Sequence, residues 1–223
     1  MQLYLKPEPL ADYIAKQLFN SFPVGDSHEQ VRAEIWRGLP QALERVEYCF
    51  SRSKAKYFQK DGEAFFSPLM TDQYAMFLYF LANTIYHETA NIGLADRLYA
   101  LNKMLHGIDV FYQVELPKVF LFVHSVGTVL GRANYGEGLV VYQGVTVGGD
   151  LKLNYPTIGR GVGLFSNCSV IGAAVLGDDV AVSARSVILN DVIPAGQVCF
   201  GQHPNVQCKK SKSNIQERFF SDF

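Results

Sequence analysis

From Ile158 to Ile193 the chain repeats every six residues, six times without interruption. In register the units read IGRGVG, LFSNCS, VIGAAV, LGDDVA, VSARSV and ILNDVI. The first position is always a branched aliphatic (Ile158, Leu164, Val170, Leu176, Val182, Ile188) and the fifth is small or β-branched (Val162, Cys168, Ala174, Val180, Ser186, Val192). Turn formers such as Gly159, Gly161, Asn167, Asp179 and Asn190 lie between them. A helix cannot hold a six-residue period on one side, because its faces recur at 3.6 residues. A parallel β-helix can: each hexad gives a short strand and a corner, and equivalent aliphatics stack in successive coils. The period predicts a β-solenoid.

Ahead of that run the repeat is worn. Val123, Val129, Tyr135, Val141 and Val147 keep the six-residue step, with Gly127, Ala133, Leu139 and Val145 at the fifth positions. Residues 150–157 then interrupt it. An insertion at a coil corner loops outward and leaves the stack intact, and such excursions often build sites.

The first hundred residues follow a helical grammar. Leu10, Ile14 and Leu18 share one helix face, and Ser27-His-Glu-Gln30 reads as a capping box opening a second helix. Gly38 and Pro40 are expected to break or kink it before a third stretch, Gln41–Phe50. Residues 51–61, polar and basic, read as a connection whose lysines are a solvated face. Two further helices are expected over Asp72 to about Thr89 and over Leu94–Leu105. The class is α+β: an α-helical domain at 1–106, a parallel β-helix at 107–207 and a C-terminal tail at 208–223.

With 223 residues the chain can bury a real core, and its net charge of −1 implies no polyanionic partner such as nucleic acid. The longest apolar run, Ala75–Ala82, is too short to span a bilayer, and the start MQLYLKPEP lacks the basic-then-apolar pattern of a signal peptide. No membrane association and a cytoplasmic location are expected. Cys49, Cys168, Cys199 and Cys208 show no CxxC spacing, so neither a disulfide scaffold nor a zinc site is expected.

Three segments carry a family resemblance: Gly107-Ile-Asp-Val, then His124-Ser-Val-Gly fifteen residues after Asp109, then Tyr142-Gln-Gly-Val-Thr-Val-Gly-Gly149. With the outward loop ending in Pro156-Thr-Ile-Gly and the closing Ile193-Pro-Ala-Gly and Gly201-Gln-His-Pro204, they resemble the serine acetyltransferase group of hexapeptide-repeat acyltransferases over roughly residues 71–206. The resemblance implies a left-handed β-helix behind a helical domain, assembled as a homotrimer that can pair into a dimer of trimers. It implies acetyl-CoA as donor, no metal, and a small-molecule acceptor bearing a hydroxyl.

It also implies roles. His124 would be the general base, a task suited to an imidazole, whose ordinary pKa is about 6.5. Asp109 would hold the ring and stabilise its protonated form. Since His124 follows an inward Val123 in the worn register, its ring is expected to point away from the core. Coenzyme A would lie along Gly144, Ala173, Ala174, Ser183, Ala184, Arg185 and Gly201, with Lys209 and Lys210 near its phosphates. Taken alone, an outward histidine reads as an ordinary surface side chain, and lysines near a C-terminus as a solvated basic tail.

For the acceptor the chain departs from the family pattern. Serine enzymes carry an Asp before the catalytic His, where this chain has Val123, and Arg-His before the loop proline, where it has Asn154 and Tyr155. A valine cannot pair with an ammonium group. Asp72 or His87 of the helical domain could substitute for that contact, and Tyr155 could equally stack on or hydrogen-bond to a sugar; the expected acceptor is a sugar-type hydroxyl. The alternatives are L-serine as in cysteine biosynthesis, a nucleotide-amino-sugar amine, a non-catalytic scaffold, or a zinc hydratase resembling the γ-class carbonic anhydrases, for which the solenoid offers only His124.

Overall fold

A computed structural model of the chain describes residues 1–23 and 25–221. Its C-terminal half is a triangular prism of parallel strands. Thr157 pairs with Val175, Gly163 with Ala181 and Ser169 with Val187, so one coil consumes three hexads. The first face stacks strands 120–123, 139–142, 163–164, 181–182 and 197–200; the second, 109–110, 129–130, 146–148, 169–171 and 187–189; the third, 134–135, 157–158, 175–176 and 192–193.

Three columns of side chains fill the interior. They run Phe122, Val141, Leu164, Val182, Cys199 on the first face and Val110, Leu130, Val147, Val170, Ile188 on the second. Tyr135, Ile158, Leu176 and Ile193 form the third. All six first positions of the perfect hexads are buried, as are Val162, Cys168, Ala174, Val180 and Ser186. Val192 is 72% exposed, because the last coil is one residue shorter before the third face: Val192 pairs with the outward Val175 and Ile193, not Pro194, aligns with Leu176.

The worn half corrects the register at two positions. Phe122 and Leu130 occupy the columns, whereas Val123 pairs with Tyr142 and Val129 is 38% exposed. Eight residues separate Phe122 from Leu130 where six separate Val141 from Val147, so the first corner of the prism is enlarged in the lowest coil. His124 sits on that enlargement. The insertion falls at the next corner, where the coil step grows so that Asn134 pairs with Thr157.

Helices α1 (Pro7–Ser21), α2 (His28–Phe50), α3 (Thr71–Thr89) and α4 (Ile92–His106) precede the prism. The capping box forms as expected: Gln30 N–H donates to Ser27 Oγ, and Ser27 N–H to Gln30 Oε1 at 2.6 Å. The break at Gly38 and Pro40 does not occur. Pro40 lies on the exposed face of an unbroken α2, where a carbonyl left without a donor costs less than it would in the core. Gly38 is a close-packing position, since a Cβ there would lie 2.6 Å from Ile85 Cδ1. The connection after α2 includes a short 3₁₀ turn and a small sheet of strands 2–3, 63–66 and 59–60, which the hydropathy pattern did not signal.

Helix α3 docks on the lowest coil. Phe120 meets Tyr79 edge-on at 5.8 Å and Phe80 at 5.2 Å, and its carbonyl accepts from Cys49 Sγ. The C-terminal segment also ties the two regions together. Strand 207–210 runs antiparallel to 197–200, and Cys199 and Cys208, directly opposed in that pair, form a disulfide that the cysteine spacing did not suggest. Helix α5 (Ile215–Phe219) then crosses Gly163 and returns to the helical region, where Lys54 N–H donates to the Phe219 carbonyl and Ser221 N–H to the Arg52 carbonyl, both at 2.8 Å. The last two residues of the expected tail lie outside the described residues.

Candidate active site

The enlarged corner is built around one carboxylate. Asp72, in the first turn of α3, accepts from the His124 backbone N–H through Oδ2 at 2.9 Å. Its Oδ1 accepts from the Ser125 N–H at 3.2 Å and from Ser125 Oγ at 3.3 Å. These bonds hold His124 in the left-handed region, φ 53°, which a side-chain-bearing residue rarely adopts. The imidazole is exposed, and its ring nitrogens bond to no described residue. It does point outward, though as part of the corner two residues past inward Phe122. Behind Asp72 lies His106, whose pKa burial pushes down to about 4 against the pull of the Asp72 charge; Asn102 Oδ1 meets its Nδ1 at 2.7 Å. His106 is therefore neutral at physiological pH.

Several coenzyme candidates share this corner of the prism. Gly144 (φ 67°) donates its N–H to the Val126 carbonyl, Arg185 (φ 61°) donates to the Ser166 carbonyl, and Gly201 closes the column by accepting from Val187 N–H. Ser183 and Ala184 precede Arg185 in the same turn. Lys209 and Lys210 are on the antiparallel strand of the first face, with Lys209 Nζ 5.5 Å from the Phe200 ring. Ala173 belongs to the next corner, its N–H donating to Asn190 Oδ1, and Ala174 is a core residue whose carbonyl accepts from Thr157 N–H.

A second cluster runs along the lowest coil of the second face to that next corner. Asp109 Oδ1 accepts from Tyr99 Oη at 2.7 Å and Oδ2 from Lys103 Nζ at 2.6 Å. Partial burial works against its ionisation, but the Lys103 ammonium and Tyr99 hydroxyl outweigh it and hold the pKa below the ordinary carboxylate value. Among the described residues no hydrogen bond joins Asp109 to His124. Asp109 instead lines a cavity of about 590 Å³ with Phe111, Glu115, Arg132, Asn134 and Tyr155. Arg132 NH1 donates to Tyr155 Oη at 3.2 Å, with its guanidinium 5.1 Å from the ring centre. Asn154 turns inward on its own loop, where Asp150 accepts from its backbone N–H and its side-chain amide. Val123 is 8% exposed beside the His124 corner.

The chain thus carries two separate constellations: an outward base on one corner, and an ionised carboxylate with an arginine and a tyrosine toward another. Sequence reasoning missed Tyr99, Lys103 and Arg132. The coil register holds a signal for the last, since pairing Asn134 with Thr157 stacks Arg132 under Tyr155. Among the described residues no three His, Cys, Asp or Glu side chains gather as a metal ion requires, and no helix is long and apolar enough to cross a membrane.

No protein-family model matches the chain. The serine acetyltransferase of Helicobacter pylori strain 26695 is 30% identical over 132 residues, which span 57% of this chain and 76% of that protein. The chain belongs to the serine acetyltransferase family. It is accordingly an acetyltransferase. Solved members of the serine acetyltransferase family share its fold. A Neisseria gonorrhoeae serine acetyltransferase in complex with serine superposes with a TM-score of 0.68 at 22% identity, over 92% of this chain and 84% of that one. A serine acetyltransferase in complex with CoA gives 0.71 at 18% identity, over 92% and 86%.

Proposed function

We propose that the chain transfers the acetyl group of acetyl-CoA to the hydroxyl of L-serine, with His124 as general base. The observation that carries this is the outward imidazole of His124, whose backbone Asp72 fixes at an enlarged corner and whose ring nitrogens bond to no side chain among the described residues. His124 takes the hydroxyl proton as the oxygen attacks the thioester carbonyl; the tetrahedral intermediate collapses, the C–S bond breaks, and the imidazolium returns that proton to the departing thiolate. Asp109, kept ionised by Lys103 and Tyr99, is suited to stabilise the imidazolium. Because Asp109 does not reach His124 in its own subunit, we assign their meeting to the groove between neighbouring prisms of a trimer, His124 from one copy and Asp109 from the next. Coenzyme A would follow the corner of Gly144, Arg185 and Gly201 in that groove.

Serine replaces the sugar-type hydroxyl expected from the substituted loop. Family membership and the serine-bound relative support it. The test is coenzyme A release from acetyl-CoA with L-serine, sugars and nucleotide-amino-sugars, using wild type and His124→Ala. Turnover with L-serine that drops about 100- to 10,000-fold in the variant is expected. Turnover with a sugar alone would refute the acceptor, and an active His124→Ala would refute the base.

A further inference from the structure

The loop that carries Arg-His in serine enzymes carries Asn154-Tyr155 here, and Asn154 is committed to Asp150 within its own turn. A zwitterionic acceptor therefore finds no cation at that place in the loop. One coil below, the fold provides one. Arg132 stands directly under Tyr155 in the register that pairs Asn134 with Thr157. Its backbone is fixed on both sides: Gly131 N–H donates to the Val147 carbonyl and Asn134 N–H to the Pro156 carbonyl.

The charges around it are unequal in a telling way. The cavity's carboxylates already have partners, Asp109 with Lys103 at 2.6 Å and Glu115 with His87 at 2.7 Å. Arg132, among the described residues, has no carboxylate partner; its one polar side-chain contact is the Tyr155 hydroxyl. A guanidinium offers five N–H donors in a planar fork that matches a carboxylate. With NH1 partly engaged and the ring of Tyr155 limiting its rotation, the remaining N–H groups stay available toward the cavity that also holds Asp109.

We infer that Arg132 binds the carboxylate of the amino-acid acceptor, with Tyr155 as the surface that orients it. This rests on the serine reading above and names the group that makes serine bind. It places the substrate's charged end on the Arg132 side of the cavity that Asp109 also lines, so the carboxylate and the reacting hydroxyl fall within one groove.

The experiment compares L-serine with 2-amino-1,3-propanediol, which keeps the hydroxyl and ammonium and lacks the carboxylate, in wild type, Arg132→Met and Arg132→Lys. The ratio of kcat/KM for L-serine over the diol is expected to fall about 10- to 100-fold in Arg132→Met, through KM for serine, with KM for acetyl-CoA held. Arg132→Lys recovers part of the ratio, since it keeps the charge and loses the fork. A ratio within threefold of wild type in Arg132→Met overturns the assignment to Arg132 alone. Equal losses for both acceptors, or a matching rise in KM for acetyl-CoA, overturn it too. Wild type inactive on L-serine overturns the serine reading, and this inference with it.

Discussion

At the scale of single residues, the backbone of His124 adopts a left-handed conformation that needs an explanation. A left-handed conformation costs a side-chain-bearing residue about 1–3 kcal/mol and persists only where its surroundings over-determine it. Asp72 is that surrounding: one carboxylate receives two consecutive backbone N–H groups and a hydroxyl. Its role is thus to position, and removing it frees the corner without touching the imidazole. Asp72→Ala is expected to lower kcat by about tenfold or more while KM for acetyl-CoA stays near its wild-type value, because misplacing a base by a fraction of an ångström weakens proton transfer, not donor binding. Steady-state kinetics with both substrates varied decide it; kcat within twofold of wild type would mean the corner holds its shape unaided.

At the scale of elements, the prism and the helices differ in how openly the sequence announced them. The hexads are legible because a strict period leaves one way to bury equivalent aliphatics, and their columns appear as expected from Ile158 to Ile188. The lowest coil was misread by one position at Val123 and Val129. The enlarged corner between Phe122 and Leu130 absorbs two residues, and valines on either side happen to mimic the undisturbed step. This shift has a measurable consequence. Phe122→Ala, which empties a fully buried column position, should destabilise by about 3–5 kcal/mol. Val129→Ala, on the exposed side, should change stability by less than about 1 kcal/mol. Equal losses in denaturant titrations would restore the original register. Within the site, the outward loop is readable from the interrupted period and His124 from the family resemblance. The Asp72 contact depends on how α3 docks against the coil, fifty-two residues away in sequence, and the Arg132–Tyr155 stack depends on the length of the insertion. Neither distance leaves a local pattern.

At the scale of the whole molecule, the proposed groove between neighbouring prisms makes the two constellations testable together. If His124 of one copy works with Asp109 of the next, two inactive variants can repair each other. In mixed assemblies of His124→Ala and Asp109→Asn, refolded together at equal amounts, about a quarter of the grooves pair two intact residues, so activity should return to about 25% of wild type. Activity no higher than that of either variant alone would place both residues in one subunit's site. Strand 207–210 runs against the direction of every coil beneath it and is pinned by the Cys199–Cys208 bond, so the first face ends in a hairpin and not in another parallel rung. At the other end α3 lies over the first coil. A stack of in-register parallel strands is by nature a template for its own elongation, and on the first face the chain's own reversal supplies the last strand, so the parallel run ends there within the molecule.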